Sequence, residues 1–339
     1  IPEKNFILII AGLTGILSGA FALALKSSVH LIKDLLTKNF ELTFGNKQFL
    51  AYPMIGLILT VFFARYVFKM KTGHSIVKIL FSISKKSSLI KKVNSYGSMF
   101  LTTLTVGFGG SVGVEAPVVL IGSTIGSNLG QFTHFSYKNR TLLIGCGAAG
   151  AISAIFHAPI GGVIFALEVL LAQMSMTAFI PLLIASVTGS LVSKFFNMDS
   201  IMLSVGNLDD FTTSDFPFFL AVSVLSALAS TYFTRTSYFV EGVMSKFKSP
   251  FIKAIIGGVL LGAIIMIFPP IFGDGFDFIR SLLDGNRSSM LVNSFFFGYV
   301  DQVWFIIIFL ALMLLIKAFA ASLTIGSGGS GGFFGPSLF

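Results

Sequence analysis

The sequence predicts an all-α membrane protein in which helices that span the bilayer are interspersed with helices too short to cross it. Three observations predict this fold class: an apolar composition, a series of apolar segments of membrane length, and a Gly-rich segment that occurs twice. Of the 339 residues, 54% are hydrophobic and only 11% are charged. A water-soluble domain needs a polar outer surface, whereas a bilayer removes that requirement.

Apolar segments follow one another along the whole chain. The longer ones are Phe6–Leu36, Leu50–Phe68, Ser95–Val106, Arg140–Phe156, Pro159–Ala172, Thr177–Phe196, Phe216–Phe233, Pro250–Phe268 and Val303–Thr324, and shorter ones lie at Ile76–Ile83, Pro117–Phe132 and Met290–Tyr299. Several cannot cross about 30 Å of hydrocarbon at about 1.5 Å per residue. Backbone that leaves a helix at membrane depth is tolerated only inside protein or beside a polar cavity, and many transporters build an ion site in this way.

The formal net charge of +9 can indicate binding to nucleic acid. Here the cations lie in short loops between apolar segments, so we interpret them as a signal of membrane topology and predict no nucleic-acid partner. The densest cluster predicts that the loop Lys85–Lys92 is cytoplasmic. The single cysteine, Cys146, excludes an internal disulfide and suggests no Cys-based metal site, and no cofactor is predicted.

A Gly-rich segment occurs twice in the chain. Leu104–Pro117 reads LTVGFGGSVGVEAP and Leu323–Pro336 reads LTIGSGGSGGFFGP, and eight of the fourteen positions are identical at an offset of 219. In each copy we expect a helix to end, a Gly-rich loop to follow, and a new helix to start at the Pro, whose missing N–H costs nothing in the first turn. The alternative is that these glycines serve helix packing. That alternative fits the ladder Gly145, Ala149 and Ser153, but four glycines in seven residues make a poor helix.

Two helix starts of this kind would form an anion site if the copies have opposite orientations in the membrane. Each helix N-terminus carries about half a positive charge and has free N–H groups. Gly-rich backbone lets those donors approach a ligand closely. Such a site needs no Arg or Lys, and it can bind an ion firmly enough to admit it and weakly enough to release it.

These segments carry a resemblance to a known family. Gly113–Pro117, reading GVEAP, resembles the G-K/R-E-G-P motif of the CLC family of chloride channels and proton-coupled chloride antiporters, and Gly332–Pro336, reading GFFGP, resembles its G-x-F-x-P motif. The stretch His157–Gly162 also matches in character and order. The resemblance implies a CLC-type inverted repeat of tilted, partly half-length helices, with residues 1–172 as the first repeat and 177–339 as the second. It implies a homodimer, and it implies that the second repeat is incomplete, because the family continues with helices that carry a Tyr facing the central anion.

The resemblance also implies roles for individual residues. Glu115 would be the gating glutamate, which occupies an anion site when ionised and swings away when protonated. The alternative for Glu115 is an acid that only stabilises a helix dipole. The main-chain N–H groups of Gly113, Ala116, Phe333 and Phe334 would bind the anion. The two Phe rings would shield the path, although a packing role is an alternative.

Two further positions depart from the pattern of the family. Where the family has a Ser whose hydroxyl touches the central anion, the chain has His74 followed by Ser75, and either could take that part. Val169 stands where proton-coupled members often have a second Glu, and Val cannot carry a proton. Its neighbour Glu168, which we expect to be buried in the membrane, is a candidate for a proton relay or for a structural, hydrogen-bonded acid.

The sequence therefore predicts transport of chloride or a related small anion, as a channel or as a proton–chloride antiporter, with chloride, protons and the bilayer as partners. We expect a multi-pass protein of a bacterial inner membrane. A fluoride-preferring variant is one alternative. A membrane-embedded enzyme is another; it would need a nucleophile–base pair or metal ligands at membrane depth, and the chain contains no His-Glu-x-x-His. Nucleotide binding is disfavoured because the chain contains no phosphate-binding Gly-x-x-x-x-Gly-Lys-Ser/Thr loop.

Overall fold

A computed structural model describes residues 3–37, 48–171, 178–196, 212–283 and 303–339. Within these ranges every regular element is helical, apart from one isolated antiparallel bridge between Gly113 and Gly332. The all-α prediction is therefore confirmed for this part of the chain. The predicted segment Met290–Tyr299 lies outside the described residues.

The described helices, numbered in chain order, are α1 (Glu3–Thr37), α2 (Gln48–Phe62), α3 (Ser75–Lys85), α4 (Val93–Gly107), α5 (Glu115–Phe132), α6 (Tyr137–Phe156), α7 (Pro159–Phe165), α8 (Phe179–Phe195), α9 (Phe216–Ser245), α10 (Pro250–Ile267), α11 (Phe276–Leu283), α12 (Val303–Gly326) and α13 (Phe334–Leu338). Short π-helical turns, Phe63–Val67 and Ala166–Leu170, follow α2 and α7.

The helices fall into long and short classes, as the sequence predicts. Six in the described residues are long and apolar enough to cross a membrane, namely those over Asn5–Leu36, Leu50–Val67, Tyr137–Phe156, Thr213–Ser245, Pro250–Ile267 and Trp304–Gly326. By contrast, α3 has 11 residues and α4 has 15, so they span about 16 Å and about 22 Å. Both helices are therefore shorter than the about 30 Å that a helix must cover to cross the hydrocarbon of a bilayer.

The helix α9 is longer than the sequence predicts. We expected its apolar segment to end at Phe233, but the helix continues to Ser245 and includes Arg235 and Glu241. The charged side chains end the apolar pattern without ending the helix, because both residue types are compatible with helical backbone. The extension brings Glu241 to the start of α3.

Close contacts between small residues hold α5, α6 and α8 together with α1. A Cβ atom added at Gly147 of α6 would lie 1.9 Å from the carbonyl oxygen of Gly122 in α5, so the two backbones touch. The predicted small-residue ladder on α6 packs in the same way, because Ala149 and Ser153 face Gly162 of α7. This packing fixes α5, and with it the position of Glu115.

Candidate anion-binding site

The two Gly-rich loops have the same backbone conformation. The loop after α4 contains Gly109 at φ +94°, and the loop after α12 contains the equivalent Gly328 at φ +96°. Just after each glycine, an N–H donates to a Thr carbonyl one turn back, from Gly110 to Thr105 at 2.8 Å and from Gly329 to Thr324 at 2.9 Å. A positive φ requires glycine at these two positions, which explains why both copies keep it.

Reciprocal hydrogen bonds join the loops to each other. Gly113 and Gly332 exchange N–H···O=C bonds, each of 2.9 Å, in an antiparallel arrangement. The N–H of Ser111 donates to Thr324 Oγ1 at 3.2 Å, and the N–H of the equivalent Ser330 donates to Thr105 Oγ1 at 3.0 Å. The two bonds are equivalent in the repeat, because Ser111 and Ser330 differ by 219 in residue number, and so do Thr105 and Thr324. The loops are therefore related by a local two-fold axis that passes between Gly113 and Gly332, and the repeat is inverted.

Glu115 is the first residue of α5, and its carboxylate lies across this bridge. The side chain is 1% exposed, and its Oε2 accepts a hydrogen bond of 3.2 Å from the N–H of Gly335 at the start of α13. Its Oε1 is buried and forms no hydrogen bond with the described residues. The carboxylate also presses against Gly113, where an added Cβ would lie 2.0 Å from Oε2. The acid of one repeat is thus bound to the helix start of the other.

The predicted main-chain donors differ in their surroundings. Gly113 is wrong as an anion donor, because its N–H is used in the bond to Gly332. The N–H of Ala116 lies in the first turn of α5, where no carbonyl precedes it within the helix. Gly335, which the sequence analysis did not select, is the donor to the carboxylate. The repeat alignment could have found it, because Gly335 is the equivalent of Ala116.

The two Phe side chains at the start of α13 point to different neighbours. The ring of Phe333 lies 5.5 Å from the His74 ring and 5.2 Å from the Phe233 ring, measured between centroids. The ring of Phe334 contacts Phe156 and Phe165 at 5.9 and 6.5 Å. Phe333 therefore separates the start of α3 from the Gly-rich loop, whereas Phe334 packs against α6 and α7.

His74 and Ser75 lie at the start of α3. Ser75 is the first residue of the helix and is buried, while His74 precedes it and is exposed. The Nε2 atom of His74 lies 3.3 Å from Oε1 and 3.5 Å from Oε2 of Glu241, and the Ser237 hydroxyl donates to Oε1 at 3.3 Å. The sequence analysis missed Glu241, although an acid in an apolar helix is a signal that could have found it.

Glu168 is not buried. It lies in the π-helical turn after α7, its side chain is exposed, and it forms no hydrogen bond or ion pair with the described residues. The expectation that Glu168 lies within the membrane stays a prediction, and its side chain is not enclosed by the described residues. Within the described part of the chain, no contact joins Glu168 to the Gly-rich loops.

A buried lysine lies in α12, the helix that precedes the second Gly-rich loop. Lys317 of α12 is 1% exposed, and its Nζ donates to the carbonyl oxygens of Gly273 and Asp274, both at 3.2 Å. The ammonium group also lies 4.9 Å from the centroid of the Phe339 ring. These contacts hold the turn before α11 against α12.

Comparison with known proteins gives one family. Residues 55–339 match the family model described as voltage gated chloride channel. The voltage-gated ClC-type chloride channel ClcB of Escherichia coli is 27% identical over 256 residues, which cover 75% of this chain and 55% of that protein. An uncharacterized protein of Methanocaldococcus jannaschii is 26% identical over 291 residues, with coverage of 85% and 68%. The chain thus spans about half the length of ClcB.

Solved structures share the fold. A CLC-type fluoride/proton antiporter superposes with a TM-score of 0.78 at 23% identity and covers 98% of this chain and 78% of its own. A slow cyanobacterial Cl−/H+ antiporter superposes with a TM-score of 0.76 at 20% identity and covers 97% and 76%. These likenesses confirm the predicted inverted-repeat architecture.

Proposed function

Because the chain belongs to the voltage-gated chloride channel family, we propose that it moves chloride, or a related small anion, across the membrane through the site between the two Gly-rich loops, with Glu115 as the gate. The observation that carries this proposal is the bond from the Gly335 N–H to the Glu115 carboxylate. A carboxylate is itself an anion. Its position at the start of α13 marks a place where the protein binds negative charge through main-chain donors.

Protonation of Glu115 would free the N–H of Gly335 for a transported anion. While ionised, the carboxylate competes with chloride for the Gly335 N–H. Once protonated, it loses its charge, so its attraction to the helix start weakens and the side chain can leave. The unpartnered Oε1 atom supports this view, because few contacts hold the carboxylate in place. The vacated donor, the N–H of Gly335, would then face the anion, and the equivalent N–H of Ala116 would join it.

The test uses purified protein in chloride-loaded liposomes, with chloride efflux measured over a range of pH. We expect efflux to increase as pH falls, and we expect Glu115→Gln to remove that dependence because Gln mimics the protonated acid. The matched control is Glu3→Gln, an exposed acid at the start of α1. A wild-type pH dependence in Glu115→Gln refutes the gate, and a complete absence of anion flux from wild-type protein refutes the function.

The same assay ranks the anions and separates the transport modes. Faster efflux of fluoride than of chloride would identify a fluoride-preferring variant. Proton movement against a chloride gradient would identify an antiporter, and its absence a channel. The family consists of channels and transporters, so a membrane-embedded enzyme is excluded.

The organisation of the chain is part of the proposal. Since α8 packs on α1 and α6, we place the end of the first repeat after α8, later than the predicted residue 172, and the start of the second at α9. The antiparallel bridge between equivalent glycines supports this division into inverted halves. We further propose a homodimer in a bacterial inner membrane. The exposed lysines of the loop Lys85–Lys92 would then face the cytoplasm.

A further inference from the structure

The loop Lys85–Lys92, between α3 and α4, presents positive charge that no carboxylate compensates. Its lysines are all exposed and form no ion pair with the described residues, namely Lys85, Lys86, Lys91 and Lys92. The sequence has no Asp or Glu at residues 42–114 or 116–167, which include α3, α4, α6 and all of α5 except its first residue. The helices α3 to α6 therefore offer the lysines no acid except Glu115, which binds Gly335 instead.

The backbone of this loop is held in one conformation. Ser87 and Ser88 have φ of +48° and +59°, in the left-handed region that residues other than Gly rarely adopt. The Ser88 hydroxyl lies 2.6 Å from Thr141 Oγ1 of α6, and the Ser88 carbonyl oxygen accepts a bond of 2.7 Å from the Ser127 hydroxyl of α5. The same Ser127 Oγ accepts a bond of 3.0 Å from the N–H of Ile90. Positive charge alone is enough for a topology signal, whereas this loop also presents its lysines in a fixed arrangement.

Two helices that can span a membrane begin beside the loop. Both α1 and α6 are long and apolar enough to cross a bilayer. The hydroxyl of Tyr137, the first residue of α6, donates to the carbonyl oxygen of Ile83 in the last turn of α3 at 3.0 Å. Asn139 Nδ2 of α6 donates to Glu3 Oε1 at the start of α1 at 2.8 Å, so this acid is bonded to Asn139. Because a spanning helix begins at the bilayer surface, we place the loop at the level of the lipid headgroups.

Apolar side chains lie among these lysines. Phe81 of α3 and Leu89 of the loop are 52% and 44% exposed. The Nζ atom of Lys86 lies 5.3 Å from the centroid of the Phe81 ring. A surface that combines lysines with exposed apolar side chains is typical of protein segments that contact the boundary between the headgroups and the acyl chains of a bilayer.

We propose that the loop Lys85–Lys92 binds the phosphate groups of anionic phospholipids in the leaflet that it faces, while Phe81 and Leu89 contact the acyl chains next to those headgroups. Each ammonium group offers three donors to phosphate oxygens, and clusters of four or more lysines at a membrane surface attract anionic lipids. The fixed backbone lowers the entropy lost on binding, because the lysines need not be brought together first. This lipid site is independent of the proposed transport of anions.

The experiment uses native mass spectrometry of the full chain in detergent. It measures the binding of phosphatidylglycerol, which is anionic, and of phosphatidylcholine, which has no net charge and carries the same acyl chains. We expect tighter binding of phosphatidylglycerol. Lys91→Gln combined with Lys92→Gln should weaken that binding by about 25-fold, since each lysine near an anionic surface contributes about fivefold. The matched control is Lys246→Gln combined with Lys248→Gln, which removes the same charge from the exposed segment after α9 and should leave the binding unchanged.

A second variant distinguishes a fixed arrangement of lysines from positive charge alone. Thr141→Val keeps every lysine but removes the bond to the Ser88 hydroxyl, so phosphatidylglycerol should bind less tightly while phosphatidylcholine is unaffected. Equal wild-type affinity for the two lipids overturns the inference. So does an equal loss in both lysine pairs, or wild-type affinity in Thr141→Val protein that elutes like the wild type in size-exclusion chromatography, because either result would show that the arrangement does not matter. None of these outcomes involves chloride efflux, so the proposed function stands or falls separately.

Discussion

Replacing Gly113 by Ala tests whether the position of the Glu115 carboxylate controls transport. A Cβ atom at this position would lie 2.0 Å from Glu115 Oε2 and 2.9 Å from the main-chain N of Gly335. The first clash is with the end of a flexible side chain, so the carboxylate can move away without unfolding the loop. The second is with main-chain atoms, so the start of α13 must shift as well. We therefore expect Gly113→Ala to displace Glu115 from the site, and circular dichroism and size-exclusion chromatography check that the variant is folded.

The expected size of the effect follows from the bond that is lost. A hydrogen bond to a charged group contributes about 1.5–3 kcal/mol, and each 1.4 kcal/mol changes an equilibrium about tenfold. Occupancy of the site by the carboxylate should therefore fall by about 10- to 100-fold. In the liposome assay, chloride efflux at neutral pH should rise toward the rate of Glu115→Gln, and most of the pH dependence should disappear.

A control variant and a double variant test this prediction further. Gly161→Ala adds a methyl group whose nearest neighbour is Ala158 Cβ at 3.4 Å, an ordinary contact, so it should behave like the wild type. Combining Gly113→Ala with Glu115→Gln should add nothing to Glu115→Gln alone, because both remove the same interaction. Wild-type pH dependence in folded Gly113→Ala protein would refute the reasoning.

Two further predictions concern stability. Lys317→Met should lower the free energy of unfolding by about 1–3 kcal/mol, because the carbonyl groups of Gly273 and Asp274 lose their buried donor. Thermal unfolding in detergent measures this, and an unchanged melting temperature, like that expected of Lys92→Met in an exposed loop, would contradict it. Gly147→Ala should yield little folded protein in size-exclusion chromatography, because its Cβ would lie 1.9 Å from a backbone oxygen of α5 that cannot move freely, whereas Gly242→Ala meets nothing within 4 Å. Equal yields of the two would show that α5 and α6 can separate.

The sequence predicts the fold and the relation between the loops well. The repeat at offset 219 is a strong signal because each shared residue has a local reason. Gly109 and Gly328 adopt a positive φ, and Thr105 and Thr324 each accept a bond from the opposite loop. Local chemistry of this kind is visible in a sequence. It predicts two related helix starts without any knowledge of how far apart they lie in the folded protein.

The errors at the site have physical causes that a sequence does not display. Gly113 was expected to bind an anion, but pairing between distant segments decides where its N–H points, and that pairing is a property of the folded chain. Glu241 was missed because the helix α9 runs on past the end of its apolar pattern. The exposure of the Glu168 side chain is also not visible in the sequence, because apolar neighbours do not reveal which side of a short helical turn faces the rest of the protein.

The reciprocal bonds between the loops limit how the two halves of the protein can move. Many transporters expose their site alternately by rocking one half against the other. Here such a motion would separate the loops at the axis itself and break the buried hydrogen bonds between Gly113 and Gly332 and from Ser111 and Ser330 to the Thr side chains. Each bond contributes about 1 kcal/mol, and buried groups left unpaired cost more. If the proposed transport is correct, we therefore expect the two loops to stay joined and the movement to involve side chains such as that of Glu115.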